Sequence, residues 1–270
     1  MMQSLSPPDR QNAGLDLAAA LAAFEPITLD ALEGSDANLL DRTETKFLMT
    51  ADRFVQILPD LGDAYRVLEI EGARQGRYET EYYDTDGFLT YLQHHNGRAT
   101  RYKLRFRHYL SSDTTFLEVK EKRNTGRTVK KRLETDGLPE LSDPGPGTFL
   151  AESFPYDAGA FHPVLLTAYD RITLVARDHA ERLTFDLNLT FDNGTESRSY
   201  PKVVIGEIKH DRALRRSPAM TALGRAGVRK TGFSKYCIGV SLLYAGLKHN
   251  RFKRNLLFLE KLSSEGGSVC

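Results

Sequence analysis

The chain has 270 residues, of which 40% are hydrophobic and 27% charged, with a formal net charge of +1. Those values suit an ordinary globular protein of one large domain or two small ones, and they exclude a global field that would recruit nucleic acid. The two cysteines, Cys237 and Cys270, offer neither a disulfide framework nor a zinc spacing, which fits a reducing compartment.

In chain order, residues 1–14 are polar and contain proline, and are expected to be disordered. Residues 15–24 suit a short alanine-rich helix. Residues 41–50 read as a strand. Phe54, Ile57, Leu58 and Leu61 then fall at helical spacing over 51–61, with Thr50 as N-cap. Residues 65–70 and 77–84 read as strands and 86–95 as a helix closed by Asn96-Gly97. Three strand-like segments follow at 98–109, 114–123 and 127–135, the last two joined by the hairpin signal Asn124-Thr125-Gly126. The Pro/Gly-rich stretch 138–147 reads as a linker. Further strands are expected at 164–175, 182–191 and 202–210, and helices at 218–226, 234–247 and 250–262. Many strands with charge on one parity and few crossover helices predict an α+β protein, mainly an antiparallel β-barrel with peripheral and C-terminal helices. The apolar run 236–247 is too short to span a bilayer, and no basic region precedes an apolar one at the N-terminus. A cytoplasmic location is therefore expected.

The charges carry the chemistry. Arg101, Lys103, Arg105 and Arg107 occupy one parity of their segment, so they line one face of a strand. Same-face neighbours sit roughly 6.7 Å apart, where like charges repel by about 2.5 kcal/mol per pair at an effective dielectric of 20. Such a row needs water, carboxylates or a polyanion. Glu118-Val119-Lys120, Glu44-Thr45-Lys46 and Glu207-Ile208-Lys209 repeat a Glu-x-Lys pattern in other strands, Lys130 and Arg132 share a parity, and Arg171 and Arg182 add single cations. One such strand alone is usually a solvated face. Across seven or eight strands, a barrel with an apolar outside and a charged inside satisfies both faces. Arg and Lys would then hold phosphate chains, and Glu207 would hold Mg²⁺ or Mn²⁺ together with substrate phosphates; Glu44 and Glu118 could instead pair with neighbouring cations. Walker, Rossmann, HExxH and Ser/His/Asp motifs are absent from the sequence.

Arg105-Phe106-Arg107-His108-Tyr109 resembles the Arg-x-Arg-x-Tyr strand of the VTC domain, the polyphosphate polymerase domain of the vacuolar transporter chaperone family, within the triphosphate tunnel metalloenzyme (CYTH-like) superfamily. The resemblance continues in order through Glu118-x-Lys120, the hairpin from Gly126 to Arg132, Glu207-x-Lys209 and Phe233-Ser234-Lys235-Tyr236. It divides the chain into a tail (1–37), a tunnel domain (38–248) and a C-terminal helix and tail (249–270). It implies transfer of the γ-phosphoryl group of ATP onto polyphosphate with Mn²⁺ or Mg²⁺. Lys46, Arg105, Arg107, Lys120, Lys209 and Lys235 would carry catalysis. Arg171, Arg182, Lys130, Arg132, Lys103 and Tyr109 would touch substrate, and Glu207 would bind the metal. The implied partners are ATP and polyphosphate, with no nucleic acid and, for export, a separate membrane protein. Two alternatives stay open: a tunnel-fold triphosphatase, and a binding module without turnover. The segment Thr43-Glu44-Thr45-Lys46 lacks the first carboxylate of the triphosphatase pattern, which favours the polymerase. One departure from the family is Gly232, where a second lysine often stands before the one matching Lys235.

Overall fold

The computed structural model describes residues 13–33, 42–211, 214 and 217–265. Of the expectation of a disordered tail over 1–14, residues 1–12 lie outside the described residues, and 13–14 instead open a helix. In chain order the elements are α1 (Ala13–Ala22), β1 (Pro26–Ile27), α2 (Leu29–Glu33), β2 (Arg42–Thr50), α3 (Ala51–Ile57), β3 (Tyr65–Leu68), β4 (Gly76–Asp84), α4 (Leu89–His95), β5 (Arg101–Tyr109), β6 (Thr114–Lys122), β7 (Thr128–Thr135), α5 (Pro144–Ser153), β8 (His162–Ala176), β9 (Glu181–Asp192), β10 (Ser197–Tyr200), β11 (Val203–Asp211), α6 (Pro218–Arg225), α7 (Lys235–Leu243) and α8 (Lys253–Glu265). Thr50 caps α3 as expected, its side chain accepting from the Arg53 N–H, and Pro59 turns the rest of that segment into one 3₁₀ turn. The stretch expected to be a linker, 138–147, is irregular up to 143 and its last four residues begin α5. Pro144 stands in its first turn, where a missing N–H costs nothing, and Leu150 packs inward.

The main sheet runs β2-β11-β9-β8-β4-β5-β6-β7, with β10 paired to β9 and β3 to β8. Its ladders are antiparallel, and the short β1–β3 pair is parallel. Among the described residues no ladder joins β2 to β7, so the expected barrel is open by hydrogen bonding. It is nevertheless strongly curled. Five strand steps separate β2 from β5, about 24 Å in a flat sheet. Yet Lys46 on β2 donates to the Phe233 carbonyl (3.4 Å) and Lys103 on β5 donates to Ser234 Oγ (2.7 Å), two neighbouring residues.

The convex side is apolar and helix-covered. Phe47, Met49, Leu174 and Phe185 pack under α1, α3 and α6. Leu104, Phe106, Leu117 and Val119 pack with Leu150 and Phe154 of α5 and its end. The concave side is divided along the strands. At one end Leu48, Tyr82, Leu165, Leu189, Phe191 and Ile205 form a core with α7 and α8. An irregularity between β8 and β9, with Asn188 at φ 51°, brings Leu189 and Phe191 onto the same side as Asp186. Asn tolerates that left-handed backbone. Gly239 lets α7 approach closely: a Cβ there would stand 2.6 Å from Leu165 Cδ2 and from Phe191 Cδ1. The other end of the concave side carries the charges.

Candidate functional site: a cationic channel

The register decides which side chains meet. Arg105 lies opposite Glu118 and Lys103 opposite Lys120, and Glu118 and Lys120 lie opposite Arg132 and Lys130. Across β4, Tyr82 faces Arg105 and Thr80 faces Arg107. Arg171 pairs with Asp186, Lys209 with Arg182 and Glu207 with Thr184. Glu207 also lies opposite Lys46, and Lys209 opposite Glu44. Because side chains alternate between faces, all these groups share the concave side. Lys235 enters from the first turn of α7.

Three carboxylate hubs organise the cations. Glu118 is fully buried and meets Arg105 (Nε 2.7 Å), Arg107 (4.0 Å) and Lys130. Burial would raise its pKa, but the three cations overcome that and hold it well below the carboxylate range. Asp186 accepts a bidentate pair from Arg171 (2.6 and 2.9 Å) and a bond from Lys235. Against its burial these two cations push its pKa down to about 2. Glu207 binds Lys209 (2.7 Å) and Lys46 (3.3 Å), while Glu44 binds Lys46 (2.9 Å). Burial favours the neutral acid at Glu207, and Lys209 and Lys46 outweigh it to keep the carboxylate ionised. Lys46 in turn is raised: burial opposes its charge, and Glu207 and Glu44 prevail.

Two half-buried lysines have no carboxylate within 4.0 Å among the described residues. Lys103 is held by Ser234 Oγ. Lys120 sits where burial disfavours its charge and Glu44 only partly compensates for Lys46, Lys103 and Arg105, so its pKa is pushed down to about 7. Lys130 is pushed to about 8, first by burial, with Glu118 offsetting part of the loss. The influence of Glu44 on Lys120 acts across the gap between β2 and β6, so the two ends of the curled sheet share one electrostatic space. Cations outnumber carboxylates there, so the channel carries a net positive charge.

Of the residues singled out from sequence, Lys46, Lys103, Arg105, Arg107, Lys120, Lys130, Arg171, Arg182, Lys209, Lys235 and Glu207 share this face. Arg132 lies at the exposed edge, 4.7 Å over the Phe116 ring, and Tyr109 packs at a tilt against Tyr78, 4.9 Å between ring centres. Gly232 is exposed next to Thr231, whose N–H donates to the Lys46 carbonyl (2.8 Å). Sequence reading missed Asp186 and the tyrosine floor. Asp186 shares the parity of Arg182, a signal that was available. Tyr169 lies under Lys235 (4.1 Å) and Arg171 (5.2 Å) and stacks on Tyr78 at 5.5 Å; tyrosines at strand spacing look like ordinary core.

The residues present fit a divalent ion held jointly with a ligand. Burial and neighbouring Glu207 push the Glu44 pKa up, Lys46 and Lys120 outweigh them, and at Glu207 Lys209 and Lys46 outweigh burial, so both carboxylates are held below the ordinary value. Among the described residues no group of three or more His, Cys, Asp or Glu side chains could cage a metal. Mg²⁺ is commonly held by one or two carboxylates plus phosphates, which two carboxylates in an anion-seeking channel can supply. Among the described residues no helix is long and apolar enough to cross a membrane.

The family model of the VTC domain matches residues 41–139 and 156–244. Among curated proteins none matches the sequence significantly. Among solved structures, a candidate adenylate cyclase from Bacillus halodurans is similar at 12% identity and a TM-score of 0.49, over 76% of this chain and 97% of that one. A candidate adenylyl cyclase from Hippeastrum, described as having a dominant triphosphatase activity, is similar at 15% identity and a TM-score of 0.47, over 75% and 96% of the two chains.

Proposed function

This chain belongs to the VTC-domain family, and from that premise we propose that it is a polyphosphate polymerase, moving the γ-phosphoryl group of ATP onto the end of a polyphosphate chain. The observation that carries the reading is the concave face itself: cations contributed by β2, β5, β6, β7, β8, β9, β11 and α7 converge on one channel in excess of their carboxylates. Such a surface suits a ligand with charge spread along its length, and less well a single compact anion.

Phosphoryl transfer asks the protein mainly for positioning and charge stabilisation. Arg105, Arg107, Lys120 and Lys130 on one wall, and Lys46, Lys209, Arg171 and Lys235 on the other, hold the triphosphate and the acceptor chain in line. A terminal oxygen of the acceptor attacks the γ phosphorus while the bond to the β–γ bridging oxygen breaks, and ADP leaves with that oxygen. The hydrogen-bonded carboxylates keep the cation rows tolerable before substrate arrives. Enzymes of this fold that act on triphosphates generally use a divalent metal; Glu207, with Glu44 beside it, would hold one, and it would neutralise charge on the bridging and terminal oxygens. Incubating the purified protein with ATP and Mn²⁺ and running the products on a gel tests the proposal. Polymer is expected; free phosphate without polymer would replace this reading with a triphosphatase, and neither product would leave an anion-binding module.

A further inference from the structure

The cationic row of β5 runs beyond the channel. Lys103 is held at the start of α7 by Ser234 Oγ, and Arg101, one step further on the same face, is half-buried and donates to the Arg98 carbonyl (2.9 Å). There the row meets a second element. The backbone N–H of Arg251, in the 3₁₀ turn before α8, lies 3.5 Å from His95 Nε2 at the end of α4. Gly97, at φ 73°, makes room for its guanidinium, since a Cβ there would stand 2.8 Å from Arg251 Nη1. Arg98 and Arg251 are exposed. Among the described residues none of Arg98, Arg101, Lys103 and Arg251 has a carboxylate within 4.0 Å. Some arginines elsewhere are paired, Arg74 with Glu69, Arg123 with Glu121 and Arg198 with Glu196. Half-buried His94 lies among these cations. Its pKa is pushed down to about 2, first by burial and then by Lys103, Arg101 and Arg251.

We propose that Arg98, Arg101 and Arg251 form an outer docking site for polyphosphate, continuous with the channel through Lys103, which holds the distal part of a long chain whose end lies among the channel cations. The inference rests on the phosphate-channel reading and extends it to chain length. From Arg107 to Arg101 the row covers about 20 Å at strand rise, and Arg98 extends it. A triphosphate occupies only part of that length, whereas a long chain engages both regions. The gain for the long chain comes from linking two weak contacts in one molecule.

The test compares tripolyphosphate with long-chain polyphosphate, both binding to the full chain at one fixed ionic strength. The double variant Arg98→Glu/Arg251→Glu alters exposed positions outside the channel. It is expected to leave tripolyphosphate affinity within about twofold while weakening the long chain about tenfold or more, and to flatten the salt dependence of long-chain binding. In the wild type, the long chain but not tripolyphosphate should move the His94 ring resonances in the proton NMR spectrum. Unchanged long-chain affinity in the variant, or equal weakening of both ligands, overturns the docking site and leaves the channel reading standing. A wild type that binds long chains through these arginines and tripolyphosphate not at all upholds the docking site and removes the channel reading. If the variant loses capture by anionic phospholipid vesicles while long-chain binding is unchanged, the patch serves a membrane surface and the proposal fails.

Discussion

At the level of single residues, the site is a set of cations gathered around a few shared acids, and the acids are the informative targets. Glu207→Gln keeps the shape and removes the charge that Lys46 and Lys209 surround. We expect it to abolish metal-dependent turnover while leaving the unfolding midpoint within a few degrees; turnover equal to wild type would remove Glu207 as the metal ligand. Arg105→Ala is a double loss. On the proposed function it deletes a phosphate contact, and it takes one partner from fully buried Glu118. Breaking a buried pair costs about 3–5 kcal/mol in general, and the low end is expected here because Arg107 and Lys130 remain on Glu118. ATP and polyphosphate affinity should fall together, and Arg105→Ala/Glu118→Gln should recover stability in chemical denaturation without recovering affinity. Unchanged affinity for both ligands would take Arg105 out of the site. Arg105, Lys120 and Glu207 were legible because parity alone puts them on one face. Asp186 carried the same parity signal beside Arg182, whereas the turn of Leu189 and Phe191 onto that side depends on the irregularity at Asn188, which leaves no trace in local periodicity.

At the level of elements, alternation was legible in nearly every strand, because burial on one face imposes a period of two whatever the topology. Two features were not. The helix α5 hides in a Pro/Gly stretch, since its stability comes from Leu150 and neighbouring contacts to β6 and β7 and owes little to propensity. The placement of α7 against the concave side depends on Gly239, a residue whose role is to be small. Gly239→Val would drive methyl groups into Leu165 and Phe191, and overpacking of this kind costs about 1–3 kcal/mol. Denaturation should show that loss, and because α7 carries Lys235 against Asp186, affinity for tripolyphosphate should fall as well. A variant as stable as wild type would mean that α7 can shift outward at no cost.

For the whole molecule, the channel is an acid–base device as much as a shape. Lys120 titrates near 7 in the free protein, far below the ordinary lysine value, so above that pH the folded state has shed a proton the unfolded chain keeps. This group therefore destabilises the free protein at pH 7 and below, and the penalty disappears as pH rises toward the lysine value of the unfolded chain. A bound polyanion reverses the preference by stabilising the ammonium. The increase in melting temperature caused by tripolyphosphate should thus be larger at pH 6.5 than at pH 9, with proton uptake on binding between those values. Lys120→Arg, which cannot lose its proton, should flatten the profile; a profile equally steep in that variant would assign the effect elsewhere. Among the described residues no ladder joins β2 to β7, and that has a mechanical consequence. A ring sealed by backbone hydrogen bonds has one circumference, whereas here the two ends of the sheet face each other only through side-chain charge, Glu44 and Lys46 on one side and Lys120 on the other.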